Sequence, residues 1–383
     1  MRRLRLPSLV WGSFAAVSGP AAAQPDSADA VFELGEIVVV GQRPDGLSSV
    51  GGSVVTREQS WTFQKWSLDQ ALELAPGVST TLRGRRNESD IFVRGFGRWQ
   101  VPLMVDGVRI YLPADNRIDF GRFLTADIEA IQIQKGYASV LDGPGAMGGA
   151  INLVTSRPNE ALEAEGGASV GVSGVDGRSG YLIAGARRDG YYIQGSAASS
   201  ERDAWKLSDD YVPEAGSFED GGERLGSDHR DWRVKLKLGF TPNDTDEYTV
   251  SYIRQEGEKG APLNVYNNPP VPLASFWRWP YWDLQNLSFL TTTRLGASAY
   301  LKTRTFHSTF ENGLDSYDDI TYSAQDSSRG FFNPYDDHAY GTSLELGTTR
   351  LAASTLKLAL HYRRDFHTEQ QTSRPTNATL AFT

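Results

Sequence analysis

Two glycine-bearing motifs have the residue types of catalytic or cofactor-binding loops. Gly143-Pro144-Gly145-Ala146-Met147-Gly148 matches G-x-G-x-x-G, which cradles a pyrophosphate when the loop opens a helix whose N-terminal amides meet the anion. Here it runs into Ala150-Ile151-Asn152-Leu153-Val154-Thr155, a strand pattern, so the nucleotide reading fails. Gly167-Ala168-Ser169-Val170-Gly171 matches G-x-S-x-G. A nucleophile elbow needs a strand-to-helix turn, whereas Ser169 sits inside an alternating run. Paired carboxylates, a P-loop and metal-spaced histidines do not stand out, and with no Cys there are no disulfides, thiolate zinc sites or thiol nucleophiles. No enzyme, metal site or cofactor is expected. Glu36-Ile37-Val38-Val39-Val40-Gly41 has a different chemistry, that of the backbone. A β-branched run between a polar N-terminus and the linker Gln42 to Gly46 is suited to join a partner's sheet edge, where main-chain hydrogen bonds supply affinity. The alternative is an edge strand of the following domain.

The elements that carry these motifs differ along the chain. Of 383 residues, 39 are Gly, 42 are aromatic (9 Trp, 16 Tyr, 17 Phe) and only 3 are Met, a composition that favours strands and turns. A net charge of −9 without a basic run excludes a nucleic-acid footprint. Arg2, Arg3 and Arg5, the apolar run Leu6 to Val17 and Ala21-Ala22-Ala23 form a secretory leader over 1–23, with cleavage before Gln24. Its removal takes three positive charges, so −9 becomes −12.

Residues 24–47 read as an extended N-terminus and linker. From 48 to 158 the pattern is mixed: Ser67 caps a helix over Leu68 to Ala75, Ile91 to Val93 is a strand, and Asp106-Gly107 is a hairpin turn between Val101–Val105 and Val108–Tyr111. Strands are also expected over Ile128–Gln134 and Ala150–Thr155, completing a compact α+β domain. Beyond 158 period-2 alternation takes over. Trp232, Val234, Leu236, Leu238 and Phe240 share one face, and Arg233, Lys235 and Lys237 the other, which implies a wet face for the cations. Nine strands are expected near 161–173, 180–187, 191–201, 230–240, 247–256, 281–294, 298–309, 339–349 and 355–368. Tight turns alternate with the long connections 202–229, 257–280 and 310–338, the asymmetry of a transmembrane β-barrel. Trp277, Trp279, Tyr281 and Trp282 would form part of an aromatic girdle.

The ordered segments Leu68–Val78, Phe92–Phe96, Val101–Ile110 and Gly143–Pro158 resemble the plug signatures of TonB-dependent outer-membrane transporters, and Glu36 to Gly41 resembles the TonB box. The resemblance implies an α+β plug domain (48–158) followed by an antiparallel transmembrane β-barrel (159–383) of about 22 strands. At roughly 25 residues per strand the nine strands are an incomplete set, so the chain reads as an N-terminal fragment or truncated reading frame, ending in an outside loop. The implied activity is uptake of a scarce solute across the outer membrane, coupled to the proton gradient through TonB. A ferric siderophore is the first expectation; heme, copper, cobalamin and saccharides are the other solutes. With only 12 residues from Gln24 to Glu36, no signalling domain is expected.

In the plug loops that the resemblance turns outward, Trp99 and Tyr111 would stack on a ligand, and Arg98 and Arg117, with Asn116, would meet an anionic chelate. The equal alternative is that these residues latch the plug to the barrel wall. Arg94, Gly95, Asp106 and Gly107 are expected to be structural, Arg94 by pairing with barrel carboxylates. The implied partners are TonB, outer-membrane lipid and a small-molecule or metal-chelate ligand, the full-length protein being a monomer. A passive porin or adhesin, a secreted sandwich module and a non-functional truncated receptor are the alternatives.

Overall fold

A computed structural model of the chain describes residues 52–83, 86–113, 116–136, 141, 143–171, 175–263, 275–351 and 354–382. The leader, the linker and the segment Glu36 to Gly41 lie outside these residues.

The N-terminal domain opens with β1 (Gly52–Thr56) and α1 (Arg57–Thr62). Thr56 and Gln59 close a reciprocal capping box at the start of α1, a signal the sequence reading passed over. α2 (Leu68–Leu72) follows Ser67, but the Ser67 hydroxyl donates to the Asp69 carboxylate instead of accepting from the helix. Next come β2 (Val78–Arg83), β3 (Glu88–Val93), β4 (Leu103–Val105), β5 (Val108–Ile110), a 3-10 turn at Phe120–Arg122, β6 (Ile128–Lys135) and β7 (Gly149–Thr155). A five-stranded sheet runs β1-β6-β7-β4-β5 and β2 pairs with β3 apart from it. Asp106 and Gly107 have φ of +48° and +75°, as a tight hairpin turn between β4 and β5 requires. Ile131, Ile133, Ile151 and Leu153 form one core with Leu68 and Leu72 of α2. The G-x-G-x-x-G run does open a strand, since β7 begins at Gly149 and pairs with β6.

The remaining strands are β8 (Glu163–Val170), β9 (Val175–Arg188), β10 (Tyr191–Trp205), β11 (His229–Phe240), β12 (Glu247–Gly260), β13 (Phe276–Trp279), β14 (Trp282–Leu295), β15 (Ala299–Tyr317), β16 (Phe331–Leu351), β17 (Ser354–Ser373) and β18 (Ala378–Phe382). They form one antiparallel sheet in sequence order, in which β13 and β14 both lie between β12 and β15. Pro280, which has no N–H to donate, separates β13 from β14. Each of the nine expected strands is present, and several are longer. β15 and β16 extend through Asn312-Gly313 and Asn333-Pro334, so the connection expected over 310–338 shrinks to 318–330. The chain's end is also corrected: Ala378–Phe382 is not an outside loop but β18, paired with β17.

The sheet is inside-out by the standard of a water-soluble protein. On β11 Leu236, Leu238 and Phe240 are 45%, 44% and 55% exposed, whereas Arg233, Lys235 and Lys237 are buried. Leu287 and Phe289 of β14, and Leu356, Leu358 and Leu360 of β17, continue the exposed apolar face. Apolar-out, polar-in strands are those of a barrel wall facing lipid. Tyrosines lie over glycines on neighbouring strands; a Cβ at Gly239 would overlap the Tyr192 ring, and one at Gly347 the Tyr300 ring.

Candidate functional site

The N-terminal domain fills the concave polar face of the sheet, and buried charge joins the two. Arg233 donates to Asp127 through Nε (3.1 Å) and Nη2 (3.3 Å), and Lys235 Nζ lies 3.4 Å from the same carboxylate. One step further along β11, Lys237 Nζ is 3.1 Å from Asp106 Oδ2. Asp106 is held from its own side by the Thr155 amide (2.8 Å) and hydroxyl (2.7 Å). Near the other end of the sheet, Lys259 of β12 pairs with Asp119, which also accepts from the Ser89 amide at 2.9 Å. Pairs of the opposite sense occur too: Arg122 Nε donates to Asp231 at 2.8 Å, and at less buried positions Arg57 donates to Glu165 at 2.8 Å and Arg157 to Glu247 at 3.0 Å. Burial alone would raise the Asp127 pKa, but Arg233 and Lys235 outweigh it and hold the carboxyl down at about 2. The expectation of a wet face for the β11 cations is thus corrected, because the plug covers that face and its carboxylates supply the missing counter-charge.

The end of the sheet that carries the long connections is capped by the β2–β3 hairpin. Lys259 Nζ donates to the Asn87 carbonyl, and Asn87 Nδ2 donates to the Gly260 carbonyl at 3.4 Å. The Arg86 guanidinium lies 5.3 Å from the Trp279 ring centre. Trp279 and Trp282 are buried, with Trp282 edge-on to Phe123 and Phe310. They are therefore not girdle residues at a lipid boundary; they face inward, because β13 and β14 present these positions to the plug. Tyr191 and Phe240, at the turn-side ends of β10 and β11, are by contrast exposed. Burial raises the Glu88 pKa despite Arg86 and Lys259 nearby.

The sequence-predicted ligand residues divide into separate roles. Arg98 and Arg117 lie near plug carboxylates, Arg98 Nη1 3.9 Å from Asp90 and Arg117 Nε 4.0 Å from Glu88. Asn116 is buried, and its Nδ2 donates to the Arg98 carbonyl at 2.7 Å, tying the two loops together. Trp99 is 48% exposed. Tyr111 is half-buried, and Arg363 of β17 donates to its carbonyl at 3.2 Å and stands 4.9 Å from its ring centre. Tyr111 thus meets the wall, Asn116 ties two plug loops together, and Arg98 and Arg117 stand beside plug carboxylates.

Arg94 is not within a strand. With Gly95 it forms the turn after β3, at φ of +50° and +85°, and its Nη1 donates to the Lys135 carbonyl at 3.4 Å. Among the described residues, Arg122, Arg57 and Arg157 are plug arginines that pair with carboxylates of the wall. Sequence reasoning missed Asp119, Arg122, Asp127 and Lys259 altogether. The one available signal was the run of cations on β11, whose partners lie about 100 residues away, Arg233 being 106 positions from Asp127.

Three comparisons bear on this arrangement. Residues 48–150 match the model of the TonB-dependent Receptor Plug Domain. A curated relative, the Vitamin B12 transporter BtuB of Photobacterium profundum, is 28% identical over 210 residues, 52% of this chain and 33% of that protein. Among solved structures the copper transporter OprC superposes with a TM-score of 0.67 at 14% identity, covering 90% of this chain and 50% of the other. The unliganded ferric citrate transporter FecA gives 0.65 at 15% identity, with 84% and 48% covered. The chain spans about half the length of these structures and a third of the curated relative. The plug is followed by a sheet with the architecture of their barrels, and the named relatives are transporters rather than enzymes. On the family match, the sequence relative and the shared architecture together, residues 48–150 are a plug domain of the TonB-dependent receptor type, and the sheet that follows has the fold of the barrels in these transporters.

Proposed function

We propose that this chain supplies the plug and one wall of an outer-membrane receptor that takes up a scarce solute, a ferric siderophore foremost, using energy from the proton gradient delivered by TonB. Residues 1–23 direct export and are removed. TonB adds a strand to Glu36–Gly41 on the periplasmic side and pulls the plug away from the wall. The observation that carries the reading is the set of buried ion pairs from Asp106, Asp119 and Asp127 to the cations of β11 and β12. It is a closure specific in register yet non-covalent, and so displaceable by force. A passive porin has no use for such a domain in its lumen. Arg98, Trp99 and Arg117 are the plug residues offered to an anionic chelate.

The test is uptake of an iron-55-labelled siderophore panel by iron-limited cells carrying the receptor, with Val38→Pro as the variant. Proline removes a pairing N–H, so uptake should vanish while surface binding persists; undiminished uptake in the variant rules the mechanism out. Cobalamin is the second reading, favoured by the curated relative. Labelled cyanocobalamin given to the same cells separates the two.

A further inference from the structure

A cavity of about 210 Å³ lies where the β4–β5 hairpin of the plug meets β15, β16 and β17. Arg304 and His361, which line it, fall in the first halves of β15 and β17, so it belongs to the tight-turn side of the wall.

Its chemistry departs from the rest of the interface. Elsewhere plug and wall meet through opposite charges, as at Asp127 and Asp119. Here Arg109 of the plug faces Arg304, Arg363 and His361 of the wall, and no carboxylate lines the space among the described residues. Asp365 accepts from Arg363 Nε at 2.6 Å and offsets one of the three guanidinium charges. Glu345 lies outside the cavity and takes the Tyr300 hydroxyl at 2.7 Å. Arg109 makes one hydrogen bond among the described residues, from Nη1 to the Pro144 carbonyl at 2.6 Å, and no ion pair.

The cations are also held close together. The guanidinium groups of Arg109 and Arg363 stand 5.3 Å and 4.9 Å from the centre of the same Tyr111 ring. Burial, with the Arg363 charge added to it, lowers the Arg109 pKa. Arg304 packs on the β4–β5 turn, where a Cβ at Gly107 would lie 2.6 Å from its Nε. Like charges fixed at such separations repel more strongly as water is excluded. A mobile counter-ion removes that repulsion, and guanidinium groups suit phosphate-type oxygens, which can accept from donors on two sides at once.

We propose that a small phosphate-type oxyanion occupies this cavity and bridges Arg109 of the plug to Arg304 of the wall, latching the β4–β5 edge through an exchangeable ion. The Ser343 hydroxyl and His361 Nδ1, 3.0 Å apart, complete the wall side of the site. The latch acts on the seated plug alone, without TonB or a transported solute, and so goes beyond the uptake reading.

The test uses the purified full chain in detergent, with inorganic phosphate as the probe and chloride at matched ionic strength as the control for screening. Calorimetric titration reads binding, and limited proteolysis of residues 52–158 reads the latch. Saturable phosphate binding and slower plug cleavage are expected in the parent. Arg109→Gln and Arg304→Gln, one on each side of the cavity, should each weaken binding by about tenfold or more and abolish the phosphate-dependent protection. Arg363 is left intact because it donates to the Arg109 and Tyr111 carbonyls, at 3.2 Å each, and so holds β5 by itself. Should one variant fail to fold, the other decides. Absence of phosphate binding, equal protection by chloride, or undiminished phosphate protection in a folded variant overturns the proposal; the last would mark a general salt effect on the fold.

Discussion

Lys237 Nζ sits 3.1 Å from the carboxylate of Asp106, the residue that also opens the tight turn between β4 and β5. One aspartate thus serves two scales. Its backbone, at φ of +48°, reverses the chain, and its side chain is fixed by Thr155 and offered to the wall. The same logic recurs at Asp127 with two cations instead of one, which makes it the point where plug attachment is most vulnerable.

Asp127→Asn leaves Arg233 and Lys235 buried without a counter-charge. Removing one partner of a buried pair costs about 3–5 kcal/mol. The variant is expected to lower the plug's unfolding temperature and to expose residues 52–158 to limited proteolysis, while the strands of the wall remain protected.

Acid should act on two plug carboxylates in opposite directions. Asp127 is held at about 2, below its ordinary 3.8, so its contribution is complete above pH 3.8 and is lost only as pH falls through about 2. Glu88 is raised above its ordinary 4.5, so its ionised form weakens the fold at neutral pH, and the handicap fades as pH falls below its raised value and is gone below 4.5. Thermal melts at pH 7.5 should therefore show Glu88→Gln at or above the parent. A large loss of stability in that variant would show that the Arg86 contact dominates.

The two faces of β11 should respond oppositely to charge. Leu238→Arg puts a cation on the exposed apolar face, at an expected cost of about 2–4 kcal/mol if that position lies at a bilayer midplane. Lys237→Arg keeps the charge facing Asp106 and should cost far less. Folding yields into detergent micelles or vesicles compare the two directly.

Gly239→Val forces a branched side chain into the space filled by the Tyr192 ring. Tyr192 is itself fixed by its hydroxyl on Glu247 at 2.6 Å. The expected result is slower barrel assembly and a lower melting temperature; the double variant Gly239→Val with Tyr192→Ala should recover part of the loss.

Much of this architecture is legible in the residues themselves. Period-2 alternation identified all nine expected wall strands, and Asp106-Gly107 identified the β4–β5 turn, because both are local signals. The plug–wall contacts were not legible, because each joins residues distant in sequence through charges that look solvated when read singly. Arg233, Lys235 and Lys237 looked like a water-facing row, yet a second domain occupies that space. Trp279 and Trp282 were misread for a related reason: large aromatics suit either a lipid boundary or a domain interface, and only the direction in which β13 and β14 present them decides between the two.

The inverted pattern of the wall has a consequence for water. The ammonium groups of Lys235 and Lys237 are dry only while the plug covers them, so the interior of this sheet is conditional. Any movement that withdraws Asp106 and Asp127 must admit water to hydrate the cations left behind. Plug displacement is then a wetting transition whose equilibrium depends on water activity, and osmolytes too large to enter the lumen should oppose it.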